Sequence, residues 1–189
     1  ILLGLVGSEM CIRDSHRSED GGETWTELKS GLPNYAGKIG FTLSPQKPDV
    51  LYASIELEKR NGAVYKSEDR GSSWKKMSDL SLGYGTGPHY YQELFASPHK
   101  FDRLYLMNVR ILTSEDGGKT FVELTERSKH SDNHAIAFRE DDPNYLLVGT
   151  DAGIYESFDL AKTWKYHKNL PITQFYNCLL YTSDAADDP

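Results

Sequence analysis

The chain has 189 residues, of which 28 are acidic and 21 basic, giving a formal net charge of −7. This acidic balance argues against nucleic acid as a partner, and the one apolar run at the start, "ILLGLVG", is too short to cross a membrane. The two cysteines, Cys11 and Cys178, provide neither a disulfide framework nor a cysteine zinc site.

Both ends look foreign to the middle. Residues 9–15, "EMCIRDS", and residues 178–183, "CLLYTS", can be encoded by opposite strands of one DNA string, and both resemble a translated sequencing adapter. The expectation is that 1–15 and 178–189 are adapter-derived and that 16–177 hold the protein proper. Setting the ends aside removes five acidic residues and one basic, leaves a net charge near −3, and takes both cysteines with it. With the insert cut at both ends, the lack of a signal peptide carries no information.

The first element of 16–177 is the octet "SEDGGETW", Ser18 to Trp25. Then come two strand-like runs, "KIGFTLSP" from Lys38 and "KPDVLYASI" from Lys47, and a third, "GAVYKS", that leads into a second octet, "SEDRGSSW", Ser67 to Trp74. "SWKKM" leaves that octet as a fourth run. The series recurs as "QELFASP", "KFDRLYLMN", "VRILTS", the octet "SEDGGKTF" (Ser114 to Phe121) and "TFVEL". It recurs again as "HAIAFRE", "DPNYLLVGT", "AGIYES", the octet "SFDLAKTW" (Ser157 to Trp164) and "TWKYH". The aspartates Asp20, Asp69, Asp116 and Asp159 are 49, 47 and 43 residues apart. Runs rich in β-branched and aromatic residues between turn signals read as strands, and no helical period appears. Four short strands per period of this length predict an all-β fold, a β-propeller fragment of about three complete four-stranded blades with partial blades at each end. The blades are placed at about 38–79, 83–126 and 130–170, in one domain whose remaining blades are its first expected partner.

Each octet falls in the hairpin between third and fourth strands, and its chemistry suits a turn. The aspartate accepts backbone N–H groups, glycine supplies a positive φ, the hydroxyls close local bonds, and the terminal aromatic packs between sheets. The structural set is Ser18, Asp20, Gly22 and Trp25; Ser67, Asp69, Gly71 and Trp74; Ser114, Asp116, Gly118 and Phe121; and Ser157, Asp159 and Trp164. These octets resemble the Asp-box family, also called the bacterial neuraminidase repeat, whose box lies at the blade periphery. The fourth copy departs from the pattern, with Leu160-Ala161 in place of glycine, so its turn is expected to be strained or reshaped. Gly62 to Asp79, Ser44 to Tyr52, His130 to Ala135 and Gly149 to Trp164 together resemble the sortilin N-terminal type of propeller and its bacterial glycosyl-hydrolase-like relatives. That resemblance implies an extracellular or periplasmic location.

Loops at the start of each innermost strand are where propellers place function. "GYGTGPHYYQE", Gly83 to Glu93, offers Tyr84, His89, Tyr90 and Tyr91 for stacking against a sugar or peptide side chain, or for packing on a neighbouring blade. In "KHSDNHAIAF", Lys129 to Phe138, the residues His130, Asp132 and His134 alternate and would share one face of an extended strand. Asp132 and His134 are weak acid/base candidates, with Glu93 as the local second carboxylate, and His130 is a ligand-binding candidate. Three ligands alone do not make a metal site, and no metal or cofactor is expected. Asp49, Asp102 and Asn144 read as turn caps, and Asp151-Ala152-Gly153 as a hairpin turn. The expected function is binding of a carbohydrate or peptide at the channel mouth, with catalysis not the first expectation. A glycoside hydrolase-like enzyme using mouth carboxylates is the alternative, and a purely structural module of a larger exported protein the second.

Overall fold

The computed structural model describes residues 2–6, 14–58, 61–80 and 93–170, and these form strands and turns with no α-helix. The first sheet has three strands, β1 (Leu2–Val6), β2 (Asp14–Ser18) and β3 (Thr26–Leu28). The second is β4 (Ile39–Leu43), β5 (Leu51–Glu56), β6 (Gly62–Ser67) and β7 (Lys75–Leu80). The third is β8 (Leu94–Ala96), β9 (Leu104–Leu106), β10 (Leu112–Ser114) and β11 (Val122–Glu123). The fourth is β12 (Asn133–Arg139), β13 (Asp142–Thr150), β14 (Gly153–Ser157) and β15 (Lys165–Tyr166). Every sheet is an antiparallel meander in chain order. This is the blade organisation that the repeat predicts: in the three four-stranded sheets the octet joins the third strand to the fourth, and in the first sheet it joins β2 to β3. The strand β1 comes from the segment read as foreign and pairs with β2 from Leu2↔Ser18 to Val6↔Asp14.

The two-residue period of a strand explains how the sheets stack. In the second sheet Leu51, Ala53 and Ile55 share one face with Ala63 and Tyr65, and with Trp74 they form one apolar cluster. Tyr52 and Val64 point the other way and pack on Leu94, Leu104 and Leu106 of the third sheet. Tyr105 and Met107, on the far face of the third sheet, meet Ile136, Leu146 and Val148 of the fourth. A strand such as β5, buried on both faces over Leu51–Ile55, is what two flanking sheets require. First strands lie beside each other, with the Ala96 N–H donating to Thr42 Oγ1 at 3.0 Å.

The Asp-box turns repeat atom for atom. Ser67 Oγ accepts the Gly71 N–H at 2.8 Å and donates to Asp69 Oδ1 at 2.8 Å. Asp69 then accepts the Ser73 N–H at 2.8 Å and the Ser73 hydroxyl at 2.6 Å. Asp20 with Thr24, Asp116 with Thr120 and Asp159 with Thr163 reproduce this set. The fourth turn is not reshaped. Leu160 and Ala161 take φ of 54° and 67°, and the Ala161 N–H still reaches Ser157 Oγ at 2.9 Å. A left-handed conformation costs a non-glycine residue roughly 1–2 kcal/mol, which burial of the Ala161 methyl in the third cluster offsets in part. The terminal aromatics differ: Trp74 is 6% exposed, whereas Trp25 is 39% exposed and its Nε1 donates within its own turn, to Gly22 O.

These carboxylates make the fold sensitive to acid. At Asp116 desolvation works to raise the pKa, but hydrogen bonds from Thr120 and Ser114 outweigh it and hold the carboxyl at about 2. Asp20, Asp69 and Asp159 are lowered chiefly by their Thr or Ser partners four residues on. A depressed folded pKa gives stability that is present above the unfolded value of about 3.9 and lost as pH falls through the folded one. The melting temperature is therefore expected to hold above pH 5 and fall between about pH 4 and 2. Asp116→Asn should flatten that fall, and a melting temperature independent of pH down to 2 would refute the account.

The seam between the second and third sheets is ionic at the Asp-box end. Lys66 Nζ reaches Asp102 Oδ1 at 2.9 Å and lies 5.0 Å above the Phe101 ring, while the Tyr52 hydroxyl donates to the same Asp102 oxygen. In the repeat register Thr113 stands where Lys66 does, and Asn144 where Asp102 does, so this ion pair is not repeated at the next seam. All three turns nevertheless make one backbone bond to their own octet, at 2.9 Å: Arg70 N–H to Asp49 O, Gly117 N–H to Asp102 O, and Leu160 N–H to Asn144 O.

Candidate functional site

The register shows at which end of the sheets the first strands begin. Leu51 pairs with both Leu43 and Ser67, at the Asp-box end, while Ile55 pairs with Ile39 and Ala63 at the other. First strands therefore begin at the end opposite the octets. Lys38, Glu93 and Asp132, each one residue before a first strand, all lie there.

Lys38 and Glu93 join neighbouring first strands, with Nζ 2.6 Å from Oε1. The Lys38 N–H donates to Glu56 Oε2 at 2.9 Å, which anchors the turn that presents the ammonium. The other Glu93 oxygen, Oε2, is buried and has no hydrogen-bond partner among the described residues, an arrangement that costs energy unless something supplies a donor.

Sequence alternation placed His130, Asp132 and His134 on one face of a strand, and the structure corrects this. Asp132 has φ 62°, outside the β region, and the strand begins only at Asn133. A register shift between Asn133 and Ala135 then turns both Asn133 and His134 inward. His134 Nε2 lies 2.7 Å from Asp151 Oδ1, so Asp151 is the partner of a buried imidazole as well as part of a turn. His130 stays exposed, its Nδ1 at 2.7 Å from Ser131 O and 4.0 Å from Asp132 Oδ2. Asp132 accepts the Ser131 hydroxyl at 2.8 Å and receives the Asp151 N–H on its carbonyl at 3.3 Å. Tyr84, His89, Tyr90 and Tyr91 lie outside the described residues. Among the described residues no three His, Cys, Asp or Glu side chains converge as a metal site.

Glu93 and Asp132 belong to different sheets but flank one short segment. Glu93 O accepts the Met107 N–H at 2.9 Å, the Asn133 N–H donates to Asn108 O at 3.1 Å, and the Asp132 N–H donates to Val109 O at 3.0 Å. The backbones of both residues are thus tied to Met107–Val109, where β9 turns toward β10, while the Glu93 carboxylate reaches Lys38 of the second sheet and the Asp132 carboxylate accepts from Ser131.

Behind Asp132 lies a polar knot that local sequence gives no means of finding. The Lys129 side chain is 0% exposed and Glu126 1%, with Nζ donating to Glu126 Oε1 at 2.8 Å. Nζ also donates to His130 O at 2.8 Å and to Asn133 Oδ1. Asn133 Nδ2 donates to Asn108 O and Val109 O, each at 3.0 Å, and to Glu126 Oε1 at 2.9 Å. Arg110 reaches the other Glu126 oxygen from the surface at 3.2 Å. The Tyr155 and Trp164 rings lie 5.8 and 5.4 Å from the ammonium. Burial pushes the Lys129 pKa down, against the pull of Glu126. All three ammonium protons have acceptors, so the charge is satisfied where it stands.

No protein-family profile matches the chain. A probable oligoxyloglucan-reducing end-specific xyloglucanase of Neosartorya fischeri is 26% identical over 162 residues, which are 77% of this chain and 19% of that protein. The GH74 xyloglucanase of Xanthomonas campestris superposes with a TM-score of 0.65 at 19% identity, over 83% of this chain and 27% of the other. The GH74 enzyme of Niastella koreensis gives 0.61 at 16% identity, over 80% and 26%. The fold is a β-propeller. The chain spans about a fifth of the curated relative that it matches and about a quarter of these two solved structures. At this identity the two propeller structures bear on fold, and the site chemistry rests on the side chains described above.

Proposed function

We propose that this propeller segment belongs to a carbohydrate-acting protein of the Asp-box, sortilin-like type and binds a carbohydrate at the channel mouth. The observation that carries the reading is the placement of Glu93 and Asp132 on either side of Met107–Val109. Buried carboxylate oxygens set beside exposed ones suit sugar hydroxyls, which donate and accept together. Glu93 Oε2, buried and without a donor among the described residues, is the atom that a sugar hydroxyl would satisfy. The similarity to xyloglucanases makes a xyloglucan oligosaccharide the first ligand to try. The exported location implied by such relatives belongs to the same proposal.

Titration with that oligosaccharide by calorimetry is expected to give saturable binding. Glu93→Gln and Asp132→Asn should each weaken it about tenfold, equivalent to about 1.4 kcal/mol. Equal affinity in both variants would overturn the placement of the site. A second reading, favoured by the same relatives, is glycoside hydrolysis by two mouth carboxylates. Release of reducing ends that is lost in either variant would establish it. Binding of an extended peptide in preference to the sugar would overturn both readings.

A further inference from the structure

We propose that Lys129 is a positioning residue for the mouth: with Glu126 and Asn133 it fixes the connector that presents His130 and Asp132. The inference rests on the binding reading above, although part of its test does not.

The connector from β11 to β12 is irregular, and such segments ordinarily lie over the surface. Here it is tied from within. Lys129 Nζ holds His130 O directly, so the backbone on the mouth side of the ammonium cannot move without breaking a charge-assisted bond. Asn133, one residue after Asp132, accepts from the same ammonium and donates to Asn108 O and Val109 O. Asp132 is thereby clamped between two residues of the knot and held in its left-handed conformation, with its own N–H on Val109 O at 3.0 Å.

Apolar packing alone does not explain this arrangement. A buried ion pair is seldom the most stable filling for its volume, but it has direction where a methyl group has none. Lys129 donates to His130 O and to Asn133 Oδ1, and Asn133 Nδ2 in turn donates to Asn108 O and Val109 O, the backbone groups that frame the candidate site. Neither Lys129 nor Glu126 faces the mouth itself, since both side chains are buried. Their effect on a ligand therefore passes through the backbone that they hold.

The test uses the whole chain carrying Lys129→Met together with Glu126→Gln, which removes both charges and leaves no lone buried ion. A second variant, Asn133→Leu, keeps the ion pair and nearly the same volume but removes the side-chain donors to Asn108 O and Val109 O and one acceptor of the ammonium. Each is followed by thermal melting, by titration with a xyloglucan oligosaccharide, and by the ring 15N–1H spectra of His130 and His134. The expected result is a retained cooperative melt, affinity at least tenfold weaker, and displaced His130 and His134 ring signals with core methyl signals unmoved. Affinity within twofold of the parent and unmoved ring signals would overturn the proposal and leave the knot as a structural fastening alone. If the parent chain does not bind the sugar, the binding reading falls by itself. The ring signals then decide: displaced signals support positioning, and unmoved signals overturn it.

Discussion

Replacing Glu126 by alanine is expected to destabilise the protein by about 3–5 kcal/mol, the cost of leaving one member of a buried ion pair without its partner. The Lys129 ammonium would keep His130 O and Asn133 Oδ1 but lose its counter-charge at a site with no exposure. Domains of ordinary stability have about 5–15 kcal/mol in total, so the midpoint of urea unfolding should fall sharply at constant slope. Arg110→Ala is the control, because that guanidinium is half-exposed, and surface pairs contribute about 0–1 kcal/mol. Similar midpoints for the two variants would show that the pair is not what holds this part of the fold.

Gly31→Ala is expected to have an effect of comparable size for a different reason. Gly31 has φ +78°, and a Cβ there would stand 1.8 Å from the Trp74 carbonyl oxygen and 2.8 Å from its carbon. Those are backbone atoms, and the Trp74 N–H is already tied to Ser30 O at 2.9 Å, so no rotamer change can relieve the clash. The first and second sheets would have to separate where Leu32 packs on the Trp74 cluster. Gly21→Ala isolates the backbone contribution, since Gly21 has φ +76° with nothing within 4 Å of the added carbon. It should cost about 1–2 kcal/mol, and Gly31→Ala at least about twice that. Equal melting temperatures for the two variants would remove the close approach as an explanation.

The octets were legible in the sequence because their chemistry is local. Ser67, Asp69, Gly71 and Ser73 satisfy one another within seven residues, so residue type and spacing suffice. Strand order was legible for a related reason, since a meander pairs each strand with its neighbour in the chain. The mouth was less so. Alternation at His130, Asp132 and His134 assumes extended backbone throughout, and the left-handed Asp132 breaks that assumption. Lys129 reads as an ordinary loop lysine, because its acceptors on Glu126 and Asn133 come together only once the connector folds against Asn108 and Val109. Asp151 was legible as a turn but not as the His134 partner, a contact across 17 positions.

The change of chemistry from one seam to the next bears on how such a molecule can be rearranged. Repeats that share a backbone plan invite exchange: copies arise by duplication and, at first, any copy fits any slot. Here Lys66 is answered by Asp102, whereas the fourth sheet brings Asn144 to the corresponding place. Splicing the fourth sheet directly behind the second would leave the Lys66 ammonium facing an amide, with Glu68 of its own octet as its remaining carboxylate partner. The second sheet is thus keyed to the third by a pair that the next seam does not repeat. Such a key restricts which blade fits behind the second sheet, and grafting a blade at that place would call for carrying the facing carboxylate along with it.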